Sequence, residues 1–283
     1  MRGTVLDADA AVDLQLHTVL SDGKWTPEAL IDYLIAEEFA LAAITDHDRV
    51  DITASLQAIA LGKGFQLLVA VEMSAHWCDE PVDVLCYGFD PGKMALQSVS
   101  DKLLRQQQEN IRQTAERMHQ QGYSLPVDEV SKILDRPAVQ QPHALVDLTR
   151  RLGYGTPDQS PGQLLVDAGL KLVTLEIGEV VEAAHQSGGV CLLAHPGRGD
   201  GFLRFDVPLL DELHAEVPLD GIEVYYPKHT PEQTALYRSY AEQRDLLVSA
   251  GSDSHSLDNP PVKYRASLCR KLLERLGVSV REG

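Results

Sequence analysis

The chain has 283 residues, 44% hydrophobic and 24% charged, which fits a soluble globular protein of one large domain or one domain with an insertion. Its net charge of −17 excludes a broad basic footprint for duplex nucleic acid, but bound cations in a carboxylate pocket would still admit a small phosphorylated substrate. No apolar run reaches a membrane span, the N-terminus is too acidic for a signal peptide, and the four cysteines (Cys78, Cys86, Cys191, Cys269) form no CxxC pair. The expectation is a cytoplasmic chain with reduced thiols, no membrane partner and no cysteine-based zinc site.

In chain order, β-like runs fall at 12–16, 41–45, 66–71, 82–87, 190–194, 221–225 and 246–250. Helical patterns follow several of them. One opens at Thr26-Pro27-Glu28 and another at Thr230-Pro231-Glu232; each offers an N-cap, a proline suited to the first turn and an acid that favours the helix N-terminus. This alternation predicts an α/β fold with parallel strands, open or closed into a barrel. The rhythm breaks over 93–172, where a long polar helix near 101–121 and further helical stretches replace the strands. The predicted organisation is therefore an α/β domain in two parts, 1–92 and 173–283, around a helical insertion.

The strand ends carry the chemistry. The first gives Gln15 and His17, with Asp22 in the following loop. The second gives Asp46, His47 and Asp48, the third Glu72, and the fourth carries Asp83. The fifth ends in His195 and Arg198, the sixth in Glu223, Lys228 and His229, and the seventh in Asp253 and His255. Ligands and catalytic groups of α/β folds collect at the carboxyl ends of the strands. Imidazoles and carboxylates converging on one rim suit a polynuclear site for Mn²⁺, Fe²⁺ or Zn²⁺. Such ions acidify bound water and clamp the attacking and leaving oxygens of a phosphoryl group. Arg198 and Lys228 suit the phosphate itself.

Taken together, HTVLSDGKWTPEAL, AITDHD, AVEMS, LLAHPGR, GIEVYYPKHTPEQ and GSDSH resemble the PHP (polymerase and histidinol phosphatase) metallohydrolases. The layout is most similar to the branch of nucleoside 3′,5′-bisphosphate phosphatases and small exoribonucleases. The resemblance implies a distorted (βα)₇ barrel with a helical insertion and up to three ions. It implies His17, Asp22, His47, Glu72, His195, Asp253 and His255 as metal ligands, with Glu72 bridging two ions. Two positions depart from the family: Gln15 replaces the first His of an HxH pair, and Asp83 replaces a His. Asp83 is still a good ligand for harder ions. Gln15 offers only an amide, as a poor ligand or an outer hydrogen-bond partner. His76 is a candidate replacement ligand. His143, in QPHAL, matches a segment that reaches over the pocket, although the Arg expected two residues earlier is Gln141.

The expected function is a metal-dependent phosphoesterase with two to three divalent ions, acting on a small phosphomonoester, a nucleotide or short oligonucleotide, by attack of a metal-bound hydroxide. Glu72, His195 and Asp253 are the catalytic candidates; Arg198, Lys228, His229 and His143 are the phosphate-binding ones. Two rival readings stand beside it. One is a metal hydrolase of a C–N or carboxylic ester bond. The other is a catalytically impaired domain that binds ligand, for which Gln15 and Gln141 speak. Arg198 and Lys228 argue against both. His119, His185 and His214 read as packed or surface helix residues, Cys86 and Cys191 as core, and Trp25 and Trp77 as packing. The sequence gives no oligomeric state.

Overall fold

Residues 3–282 are described by the computed structural model. They divide into two units, one comprising the chain up to Val99 and from Leu175 onward, the other Ser100–Thr174. The first unit holds the strands. After β1 (Thr4–Leu6) and β2 (Ala11–Leu16) comes α1 (Pro27–Ala36), started by the Thr26 hydroxyl, which accepts from the amide of Ala29. Then come β3 (Leu41–Ile44), α2 (Thr53–Gly62), β4 (Leu67–Leu68), β5 (Ala70–Trp77) and β6 (Glu80–Tyr87).

The helix α3 (Met94–Gln120) leads into the second unit, which continues with α4 (Val127–Leu134), α5 (Gln141–Arg151) and α6 (Pro161–Asp167) around their own apolar cluster of Ile111, Met118, Leu145, Leu148 and Leu165. The strands resume with β7 (Leu175–Glu176), α7 (Ile177–Gln186), β8 (Val190–Leu193), α8 (Val207–Glu216), β9 (Gly221–Tyr225) and α9 (Pro231–Gln243). Thr230 and Gln233 form a full capping box at α9. The chain closes with β10 (Leu247–Ala250), β11 (Tyr264–Arg265), α10 (Arg270–Arg275) and β12 (Val278–Val280).

The strands form a six-stranded sheet in the order β10-β9-β8-β6-β5-β7, a four-stranded sheet β11-β2-β3-β4 and a β1-β12 pair. Most pairings are parallel, as the α/β rhythm predicts. The exceptions are β11, antiparallel to β2, and β6, antiparallel to both β5 and β8. For β6 the cause is local. Cys78 and Asp79 both have positive φ, 50° and 63°, the backbone of a two-residue I′ hairpin. The run at 66–71, read as one strand, is also two. Leu67–Leu68 belongs to the four-stranded sheet, while Glu72 lies on the longer β5.

Outside these ladders, the Glu72 amide donates to Thr45 O and the Asp253 amide to Gln15 O. These bonds tie β3 to β5 and β2 to the segment after β10. A register shift in β2 between Asp13 and Leu16 changes which face is buried where. Val12 and Leu14 pack in the cluster with Leu85, Leu192 and Ala250, whereas Leu16 packs with Leu30 and Ile31 of α1. The irregularity re-aims the end of the strand.

Gly221 shows how tightly the parallel strands pack. A Cβ there would meet Leu247 O at 2.2 Å, a backbone atom that cannot swing aside. Gly221→Ala should cost about 1–3 kcal/mol by overpacking, read as a lower urea midpoint; an unchanged midpoint would mean that β9 and β10 separate freely.

Candidate metal centre

Carboxylates first fix the loops that carry the candidate ligands. Asp46 accepts from the Thr18 amide at 2.7 Å and from the Thr18 and Ser21 hydroxyls at 2.6 Å each, pinning the 17–22 loop. Asp48 accepts from the amide and hydroxyl of Ser74 at 2.8 and 2.9 Å, clamping the turn after His47 to β5. Asp13 accepts from the amides of Ser252 and Val262, both at 2.9 Å, and burial pushes its carboxyl up to about 7. Two candidate ligands sit on left-handed backbone that non-glycine residues seldom adopt: His195 at φ 27° and Asp253 at φ 55°. The amide of His195 is held by Glu223 at 3.0 Å.

Glu72 is the hub, with no exposed surface. One carboxylate oxygen lies 3.0 Å from His17 Nε2 and 3.7 Å from His47 Nε2; the other lies 3.1 Å from His195 Nε2. His17 Nε2 is also 3.2 Å from Asp253, and His195 Nε2 is 3.5 Å from Asp83. His255 Nε2 lies 3.2 Å from Asp22. The ring of His17 stacks between those of His47 and His255, at 4.8 and 4.2 Å.

Three donor groups result: His17, Asp22, His47 and His255; His17, Glu72 and Asp253; and His47, Glu72 and Asp83. Within each group the donor atoms lie within 4.8 Å of one another. The groups overlap at His17, His47 and Glu72, so cations held in them would be neighbours sharing ligands.

The residues fit such ions. His17 Nδ1, His47 Nδ1 and Asp83 Oδ2 are buried without a hydrogen bond, a costly condition for polar atoms that a shared cation relieves. Nitrogen and oxygen donors without a thiol suit Mn²⁺, Fe²⁺ or Zn²⁺.

The electrostatics agree. Burial alone would lower His17 and His47. For His17 the bonds to Asp253 and Glu72 prevail and hold it well above its ordinary value; for His47 the charges of Glu72 and Asp22 carry it up to about 9. Burial would raise Glu72, but His47 and His17 hold it well below the usual carboxylate range. Burial, then Glu72, pushes Asp83 up to about 6.

Other expected residues are placed differently. The Gln15 amide nitrogen donates to both Glu72 oxygens at 3.0 Å, which makes it an outer partner of the hub. His76 lies on β5 and pairs with Glu176 at 3.5 Å. Both nitrogens of His229 serve the backbone: Nδ1 donates to Val224 O, and Nε2 accepts from the Gly197 amide at 3.1 Å. Burial lowers it to about 4, and in this arrangement its ring braces the loop after His195.

Arg198 is half-buried, donates to Asp200 at 3.0 Å and stacks on Phe202 at 4.4 Å. With Arg204 and Lys228 it lines a recess of about 420 Å³. His143 lies exposed on α5 of the other unit, and Gln141 is buried there, donating to Leu134 O and Arg136 O. Sequence reasoning missed Tyr226, whose hydroxyl donates to Asp253 at 3.3 Å; the second Tyr of GIEVYY was its only signal.

Two measurements test this geometry. Gln15→His should add metal per chain by elemental mass spectrometry, because an imidazole can ligate where the amide only donates; unchanged content would refute that role. Ion binding should release protons from His17 and His47. Mn²⁺ binding enthalpy should therefore vary with the ionisation enthalpy of the buffer, and affinity should fall as pH is lowered. A buffer-independent enthalpy would contradict the raised imidazoles.

None of the protein-family models matches the chain. Individual relatives do. It is 30% identical over 261 residues to a 3′,5′-nucleoside bisphosphate phosphatase of Chromobacterium violaceum, covering 87% of this chain and 88% of the relative. It is 26% identical over 272 residues to the 5′-3′ exoribonuclease Rnm of Salmonella typhimurium, covering 90% and 89%. A solved structure from Bifidobacterium adolescentis, described as a metal-dependent phosphoesterase, superposes with a TM-score of 0.72 at 26% identity, over 94% of this chain and 96% of that one. With these relatives, this sheet and this donor set, the chain belongs to the PHP family of metal-dependent phosphoesterases and is a hydrolase.

Proposed function

We propose that the chain hydrolyses a small nucleotide-like phosphomonoester, a nucleotide or short oligonucleotide, using two to three divalent ions, manganese, iron or zinc. The observation that carries this is the buried Glu72 carboxylate, ringed by imidazoles and shared between two of the three donor groups. His17, Asp22, His47, Glu72, Asp83, His195, Asp253 and His255 would hold the ions, with Glu72 as the bridge. The scaffold would be a distorted seven-stranded barrel, supported by the bonds from Glu72 to Thr45 and from Asp253 to Gln15, with 93–172 inserted between its halves 1–92 and 173–283. Bound ions would supply positive charge to the phosphoryl group and acidify water.

The chain's own side chains do the rest. Gln15 keeps Glu72 oriented by donating to both its oxygens. Burial would raise Asp253, but the bond from His17 holds it below the usual carboxylate range; ionised, it can accept a proton and cannot donate one. His195 is the other candidate for proton transfer. Arg198 and Lys228 would draw the phosphate toward the recess beside His195, and Phe202 would offer an aromatic face at the same rim. His143 is retained as a candidate phosphate contact from the insertion.

The test is phosphate release with added Mn²⁺ from a nucleoside 3′,5′-bisphosphate and from a short 5′-phosphorylated oligoribonucleotide, beside carboxylic ester and amide controls. Turnover of the controls alone would overturn the reading. Nucleotide binding without any turnover would favour an impaired binding module, as Gln15 suggests. Glu72→Ala should lose metal and activity together, and retention of both would sink the bridge. Arg198→Ala should raise KM about 10- to 100-fold, the worth of a hydrogen bond to a charged group, with metal content unchanged.

A further inference from the structure

A second cluster of metal-ligating atoms lies at the other end of the strands. His185 ends α7, Cys191 stands near the start of β8, and Asp220 immediately precedes β9. One donor atom from each lies within 4.8 Å of the others. His185 Nε2 is 2.7 Å from Asp220 Oδ2, and the same oxygen accepts from the Cys191 amide at 2.8 Å. Because β6 runs antiparallel, its C-terminal part reaches this face and sets Cys86 directly opposite Cys191. The two sulfurs are 3.8 Å apart. Thiolates about 2.3 Å from a tetrahedral zinc stand about 3.8 Å from each other.

We infer that Cys191, His185 and Asp220, joined by Cys86, form a structural site for one thiophilic divalent ion such as zinc, separate from the centre around Glu72. Four donors of types Cys₂, His and Asp make a closed tetrahedral set. Cys86 reaches the ion by a turn of its side chain, and the ion takes the place of the hydrogen bond between His185 Nε2 and Asp220 Oδ2, with the neutral imidazole carrying its proton on Nδ1. Each thiol gives up its proton to solvent as the ion binds.

Core packing alone explains the two sulfurs, which have no exposed surface. It does not explain an imidazole and a carboxylate from two further elements meeting beside Cys191, with donor atoms within 4.8 Å of its sulfur. The half-exposed His185 and Asp220 give the ion a path inward. The site would tie α7, β6, β8 and the entrance of β9 together.

Cobalt distinguishes the two centres. The donors around Glu72 include no thiol, so cobalt there gives no thiolate-to-metal charge-transfer band. The full chain, stripped by chelator and kept reduced with a phosphine, should develop that band in the near ultraviolet on titration with Co²⁺, rising to the amplitude of one thiolate-bound cobalt per chain once every site is filled. Cys191→Ser should abolish it, with one fewer tightly bound cobalt per chain, while phosphoester hydrolysis persists. If that variant does not fold, His185→Ala, at a half-exposed helix end, should weaken the band-forming cobalt at least tenfold. No band at saturation in the unaltered chain, or a band unchanged in Cys191→Ser or in His185→Ala, would overturn the site.

Discussion

A carboxylate with no exposed surface, Glu72, lies where the candidate donor groups overlap, and the surrounding strand ends answer to it. Burying an isolated charge costs several kcal/mol even after relaxation, so Glu72 is tenable only among groups that neutralise it. Gln15 donates to both oxygens, and His17, His47 and His195 approach from three separate strand ends. Each approach demands something of the backbone. The register shift in β2 re-aims the end that carries Gln15 and His17. His195 accepts a left-handed conformation, steadied by Glu223. Asp48, also left-handed, ties the turn after His47 to β5 through Ser74. Strain of this kind persists only where the surroundings over-determine it.

Much of this was legible in the sequence because the informative residues stand at strand ends, where period and position act together. His17, His47, Glu72, His195 and Asp253 sit where apolar runs stop, and these residues do meet. The strands themselves follow from β-rich runs bounded by capped helices, as Thr26 and Thr230 illustrate. What escaped reading depended on contacts that spacing does not encode. The I′ turn at Cys78-Asp79 lacks the glycine or asparagine that announces a hairpin, so the reversal of β6 was invisible. His229 has the residue type and motif of a phosphate ligand, yet Val224 O and the Gly197 amide engage both its nitrogens. The approach of Cys191 to His185 and Asp220 joins a strand, a helix end and a loop, and without a CxxC spacing nothing in one dimension hints at it.

The two departures from the family pattern act on charge as well as on ligand count. Exchanging an imidazole for Asp83 adds a carboxylate beside Glu72. In the absence of a cation the pair repel, which contributes to pushing Asp83 up to about 6. Exchanging the other imidazole for Gln15 removes a nitrogen lone pair and substitutes two N–H donors, both spent on Glu72. The first change would strengthen the demand for a cation between His47, Glu72 and Asp83, while the second would weaken the corner near β2.

The proposed donor set then has a definite electrical character. Its carboxylates are Asp22, Glu72, Asp83 and Asp253, four negative charges that two divalent ions balance when the imidazoles are neutral. A third ion would leave the centre at an excess of two positive charges, which a phosphate dianion can cancel. With that donor set, a third cation and a phosphate dianion would favour each other's arrival. With an amide at Gln15 donating to Glu72 and not ligating, that mutual support would matter more. Arg198 and Lys228 at the rim add to the same balance by favouring the dianion before it reaches the ions.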